Sequence, residues 1–177
     1  VGPRTSERGF MEADIIFNAE LVPGIGGGIC QVSTTLYNAA LLSDLDIVSR
    51  VNHSLPISYV PLGRDATVAY GAIDLKIGNN TDHHVLLKAN VAKDIITFRI
   101  FGDRPEDTTV DVETEVLERI EPGVIEQVNE EFAPGARTMI QNGALGYRVA
   151  VWRVVKLGGV ETRRELISKD RYKPQPA

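Results

Sequence analysis

Disulfides, membrane spans and nucleic-acid surfaces are all poorly represented in this chain, and each shortage narrows what it can be. One cysteine among 177 residues excludes an internal disulfide framework and leaves a free thiol that is either buried and inert or reactive. No window approaches the roughly 18 consecutive apolar residues that a membrane helix needs. A net charge of -5 and a pI near 5.2, with acidic and basic residues interspersed, leave no basic stripe, so nucleic acid is not an expected partner. The opening VGPRTSERGF has neither an initiator methionine nor the charged and apolar regions of a signal peptide, which predicts a fragment whose targeting segment lies elsewhere. No pair of histidine or cysteine residues has metal-ligand spacing. What is present is an ordinary globular composition, 43% hydrophobic, enough to bury a core.

The texture of the sequence changes near residue 104. Before it come a polar start, a glycine-rich loop, one helix-like run and the strand-like runs ISYV, ATVAY, AIDLKI, HVLLKANV and IITFRIF. After DRPED the runs TVDVETEVLERI, VIEQVNEE, RTMIQ, YRVAVWRVVKL and VETRRELIS alternate apolar with polar residues, separated by EPG, APGA, NGALG and GG. The pattern predicts an α+β fold: an N-terminal cysteine-bearing helix packed on a mostly antiparallel sheet, followed by a small all-β module of little buried width. The boundary is placed at Pro105, giving units at 1–104 and 105–170 and a polar tail at 171–177 that is expected to fray.

The single convincing helix begins near Gln31 and runs to about Ser43, with Val32, Leu36, Ala39, Ala40 and Leu41 on one side. Cys30 then sits at its N-terminus, where free N–H groups and the helix dipole favour thiolate over thiol. The preceding Gly24, Gly26, Gly27 and Gly28 lack the Gly-Lys-Ser/Thr that would follow in a phosphate loop. They suit either close approach of a substrate, with neighbouring amides as an oxyanion hole, or a tight packing turn.

A nucleophilic thiol needs a base and an orienting acid. His83 and His84 follow GNNTD in a turn and read as solvated. His53, between Asn52 and Ser54, has no evident packing purpose, and Asp65 follows twelve residues later, beside Arg64. Cys30, His53, Asp65 is an order of parts shared by papain-like and transglutaminase-like enzymes. On the residues alone, a Cys-His-acid site, a structural thiol and a metal site built on Cys30 with histidines all remain open.

The elements GPRT, GF, GIGGGICQVSTTLYNAAL, RVNHS and YVPLGRDATVAYGAIDLKIGNNT resemble the VanW domain of bacterial surface proteins, over residues 1 to about 102 with the N-terminal edge clipped. The spaced glycines Gly123, Gly135, Gly143, Gly146, Gly158 and Gly159 make the second part similar to the extracellular five-glycine (G5) module. The resemblance implies a peptidoglycan L,D-transpeptidase with Cys30 as nucleophile, linking diaminoacid residues without a metal or organic cofactor. Its partners would be stem peptides and glycan. The protein would be monomeric and extracellular, cell-wall associated, and anchored to the membrane through segments outside this chain.

Within that frame His53 is the expected base and Asp65 its orienter. Arg64 is a candidate for a stem carboxylate, and the stretch from Gly28 through Ile29 to Gln31, with Ser33 or Thr34, for the oxyanion. Arg4 and Tyr59 are weaker candidates, with solvated charge and ordinary core as their plain readings. The rival class is a non-catalytic wall-binding and adhesion module with a structural cysteine.

Overall fold

A computed structural model of the chain describes residues 2–17, 20–126, 138 and 141–177. A short 3-10 turn, Ser6–Arg8, precedes β1 (Glu12–Phe17) and β2 (Glu20–Ile25), which pair antiparallel. Helix α1 (Ile29–Leu42) follows, then β3 (Asp46–Ser49), β4 (Lys76–Gly78), β5 (Leu86–Ala92) and β6 (Ile95–Phe101). The C-terminal part holds β7 (Thr108–Ile120), β8 (Gly146–Leu157) and β9 (Val160–Tyr172).

The expected α+β arrangement of a helix on one sheet is not what forms. Strands dominate, and they make four separate antiparallel sheets: β1-β2, β3-β4, β5-β6 and β7-β8-β9. Helix α1 lies against β3, β6 and β7, which belong to three different sheets. The reason is local. The runs ISYV and ATVAY and most of AIDLKI join no ladder beyond an isolated Ala69–Ile73 bridge and the start of β4. The prolines Pro56 and Pro61 cannot donate to a ladder, and the amide and carbonyl of Ala66 are met by Thr34 and Ser33 of the helix instead. The runs VIEQVNEE and RTMIQ and the turn APGA fall wholly or partly outside the described residues.

The C-terminal sheet also differs from expectation. Its middle strand β8 buries Val149, Ala150 and Val151 in succession, then Arg153, Val154 and Val155, so it is covered on both faces rather than one. The cover comes from the N-terminal half. Leu62 packs on a cluster of Val149, Val151 and Tyr172, while Val112 and Ile167 reach a second cluster of Tyr37, Leu41 and Ala66. The core is thus shared across residue 105. The 171–177 tail, expected to fray, is tied instead: Tyr172 is fully buried, the Lys173 amide donates to the Ser54 carbonyl at 2.7 Å, and Gln175 exchanges hydrogen bonds with Ala144 at 2.9 Å.

Candidate active site

The site starts from the turn ahead of α1. Gly26 takes φ +79°, a left-handed conformation that L side chains adopt at a cost, and Gly28 caps the helix at φ -73°. No acidic residue occupies the first turn, so nothing there competes with a thiolate for the positive end of the helix. Cys30, in that first turn, is half-buried, and its Sγ lies 3.7 Å from the Val68 carbonyl oxygen.

The stretch 50–66 runs back past Cys30 and is fixed by polar bonds. Ser33 Oγ donates to the Ala66 carbonyl at 2.6 Å, and the Ala66 amide donates to Thr34 Oγ1 at 3.0 Å. These hydroxyls staple the acid-bearing stretch of chain to the helix. Asn38 Nδ2 donates to the Arg64 carbonyl, and Arg64 Nε to Asn38 Oδ1, both at 2.7 Å. Arg64 is therefore engaged on the flank of α1, while its neighbour Asp65 turns inward.

Asp65 is completely buried and His53 is 7% exposed. One carboxylate oxygen, Oδ2, accepts from the His53 amide and faces His53 Nδ1, each at 2.6 Å. Holding Nδ1 leaves Nε2 as the ring nitrogen available to the thiol, and each of the two groups shifts the titration of the other. Tyr59 stands edge-on to the imidazole, ring centroids 6.4 Å apart, and burial pushes its hydroxyl up to about 12.

Three residues complete the surround of Asp65, and none was singled out by the sequence. Arg50 Nη2 donates to Asp65 Oδ1 at 3.0 Å, and its Nη1 to Asp170 Oδ2 at 2.5 Å. Its guanidinium also lies 5.1 Å from the centre of the Tyr37 ring. Tyr172, from the end of β9, donates its hydroxyl to Asp65 Oδ1 and accepts the Gly63 amide at 2.7 Å. Arg50 sits only three residues before His53 in RVNHS; Tyr172 was an aromatic stranded in a polar tail, which was the available signal.

The electrostatics follow from these contacts. Burial alone would raise the Asp65 carboxyl, but bonds from His53, Tyr172 and Arg50 hold it below the usual carboxylate range. Asp170, sharing the same Arg50, is pushed up by burial and by the charge of Asp65. His53 is raised to about 9: burial opposes the proton, but the bonds to Asp65 and Cys30 outweigh it. Burial likewise opposes ionisation of Cys30, yet the His53 bond, the Val68 contact and the charges of His53 and Arg4 bring the thiol below its ordinary value. Both shifts favour the proton on the imidazole over the thiol.

Of the expected oxyanion donors, the Ile29 amide is spent on the Gly26 carbonyl at 3.3 Å and the Gln31 amide on the Gly28 carbonyl at 3.1 Å. Among the described residues the amide of Cys30 itself has no backbone acceptor. A Cβ placed on Gly28 would meet nothing within 4 Å, and its backbone angles suit any residue, so the space over it is open. His83 lies far out on the surface, exposed and 3.4 Å from Asp103. Among the described residues no group of three or more His, Cys, Asp or Glu side chains could hold a metal ion. A thiol, an imidazole and a buried acid in this order can perform nucleophilic acyl transfer.

Comparison with known proteins bears on the chemistry. A profile of the family described as VanW like protein matches residues 1–101, and one for the G5 domain matches residues 109–177. The chain is 47% identical over 89 residues to the "Uncharacterized protein YoaR" of Bacillus subtilis (strain 168), covering 50% of this chain and 29% of that protein. It is 31% identical over 138 residues to the "Vancomycin B-type resistance protein VanW" of Enterococcus faecalis, covering 72% of this chain and 47% of that protein. The chain spans less than half the length of either relative. No solved structure matches it significantly.

Proposed function

The chain belongs to the VanW-like family, with a G5 domain following the family region, and from that premise we propose that it is a bacterial cell-wall acyltransferase of the L,D-transpeptidase type. The observation that carries the reading is the assembly of Cys30, His53 and Asp65, with Asp65 fully buried against His53 Nδ1. The vancomycin-resistance name of one relative supports a cell-wall setting.

In this reading the Cys30 thiolate attacks the carbonyl of the diaminoacid in a tetrapeptide stem. The carbonyl oxygen takes up the negative charge and faces the free Cys30 amide in the open space over Gly28. His53 gives its Nε2 proton to the departing D-alanine nitrogen, the C–N bond breaks, and a thioester remains. The amine of a second stem then attacks that thioester, its proton passes to His53, and the thiolate leaves. Asp65 keeps the imidazole in register through both transfers, and Arg50 and Tyr172 keep Asp65 ionised and in place. Taken from Pro105 onward, the second unit serves outside the cell as spacer and as brace for the site.

The alternative, a wall-binding module with a structural cysteine, fits poorly with a half-buried thiol whose ionisation His53 favours. The test is incubation with disaccharide-tetrapeptide and mass spectrometry for a crosslinked dimer lacking one D-alanine. The wild type should form it and Cys30→Ala should not. Equal product from Cys30→Ala removes Cys30 as nucleophile.

A further inference from the structure

A cavity of about 250 Å³ opens beside the start of α1 and adjoins the thiol through Val68, whose carbonyl faces Cys30 Sγ. A larger one, about 510 Å³, lies on the β7-β8-β9 sheet, lined by residues from Leu117 to Arg171, none of which is in the triad. The smaller cavity has apolar walls, Val32, Leu36 and Ile73 among them, and two charged residues, Arg4 and Asp74. Neither charge has an ion-pair or hydrogen-bond partner among the described residues.

Arg4 is held in place by a feature of the backbone. Its stem crosses Gly26, where a Cβ would come within 2.9 Å of Arg4 Cδ. The left-handed turn before the nucleophile therefore also makes room for the arginine, and the charge of Arg4 reaches the thiol. A trough with apolar walls, one unpaired cation and one unpaired anion, next to a nucleophile, is complementary to a narrow set of molecules. A plain anion would leave Asp74 repelling it, and a plain amine would leave Arg4 unmatched.

We infer that this cavity binds the side chain of the donor stem's diaminoacid, its methylenes against Val32, Leu36 and Ile73, its free carboxylate on Arg4 and its ammonium on Asp74. The assignment rests on the acyl-transfer reading above and adds a donor requirement to it: a third residue ending in a free amino acid group. A guanidinium fork accepts a carboxylate in two parallel bonds, which a carboxamide or a hydrogen cannot replace.

The experiment compares three tetrapeptide stems whose third residue is diaminopimelate, its side-chain carboxamide, or lysine. Wild type should favour the free carboxylate in kcat/KM by about tenfold or more, the scale of a charge-assisted bidentate bond. Arg4→Gln should remove that preference by losing far more rate on the free-carboxylate stem than on the other two, which share only the small loss from the charge that Arg4 lends the thiol, with Arg4→Lys keeping part of the preference. Asp74→Asn should weaken all three stems, since each carries the side-chain ammonium. Loss on all three stems alike with Arg4→Gln, or no loss, overturns the assignment. Calorimetric binding of the diaminopimelate stem to the Cys30→Ser protein separates the two readings. Binding that needs Arg4, without turnover by the wild type, ends the transferase reading and upholds the pocket. Binding indifferent to Arg4 ends the pocket, whatever the turnover.

Discussion

Strand β8 and the 50–66 loop that leans on it are both well buried, yet they are held by different kinds of contact. In β8 the buried side chains are Val149, Ala150, Val151, Val154 and Val155 with a single charged one, Arg153, and the strand is paired along its length to β7 and β9. In the loop the most deeply buried side chains include Asp65 and His53, and the backbone is fixed by hydroxyls, Asn38 and Arg50 rather than by a partner strand. Apolar contact is forgiving of small shifts; a buried carboxylate with four donors is not. The sheet supplies a rigid wall, and the loop uses it to keep an acid dry and oriented.

The largest effect should come from breaking the polar side of that contrast. Asp65→Asn keeps the volume but removes the charge that Arg50, Tyr172 and His53 all address. Removing one member of such a buried set costs about 3–5 kcal/mol, read as a lower denaturation midpoint. Reactivity should change with it: without the acid, His53 loses much of its raised affinity for a proton, the thiolate loses its counter-ion, and the pH midpoint for alkylation of Cys30 should rise. An unchanged midpoint in a folded Asp65→Asn protein would show that Asp65 does not act on the thiol.

A smaller effect tests the seam between the two regions. Gly63 has φ +80°, and a Cβ there would sit 2.2 Å from Val151 Cγ2 on the sheet. Gly63→Ala adds a left-handed strain and pushes the loop off β8, for a cost of about 1–3 kcal/mol. Because Asp65 is two residues on, acylation should slow as well. Gly28→Ala, by contrast, meets neither strain nor a neighbour in the protein itself, which makes it the control for stability.

The same contrast explains which features could be read from the sequence. Cys30 at a helix start, with His53 and Asp65 as partners, is a matter of residue type and order, and all three come together. The helix itself shows through its spacing of apolar residues. The single sheet under the helix did not form, because ISYV and ATVAY have strand-like composition but join no ladder, Ala66 bonding side chains of the helix instead. The roles of Asp170 and Tyr172 depend on contacts across more than one hundred residues, Asp170 with Arg50 and Tyr172 with Asp65, whereas Arg50, close beside His53, meets Asp65 only fifteen residues away. Of the amides from Gly28 to Gln31 expected to face an oxyanion, those of Ile29 and Gln31 are taken by turn hydrogen bonds, a geometric detail that residue type does not reveal.

The smallest effect concerns pH, and it separates the two regions by charge alone. His53 is raised from 6.5 to about 9, so the stability it contributes is full below 6.5 and is lost as pH climbs through that interval. Cys30 is lowered from 9.0, so its contribution is full above 9.0 and is lost as pH falls toward the folded value. Where the intervals overlap, the folded pair holds one proton, on the imidazole, and the unfolded chain also holds one, on the thiol. The slopes cancel, and wild-type stability should be nearly flat there. Cys30→Ala removes one side of the cancellation. Asp65 still raises His53, so the variant should lose stability as pH rises from 6.5 toward 8, by about 1 kcal/mol, within the limit of about 1.4 kcal/mol per pH unit for one proton. Hydrogen-exchange protection across that range should fall in residues 50–66 of the variant and hold in β8. A flat profile in Cys30→Ala would mean that His53 does not carry the proton in the folded site.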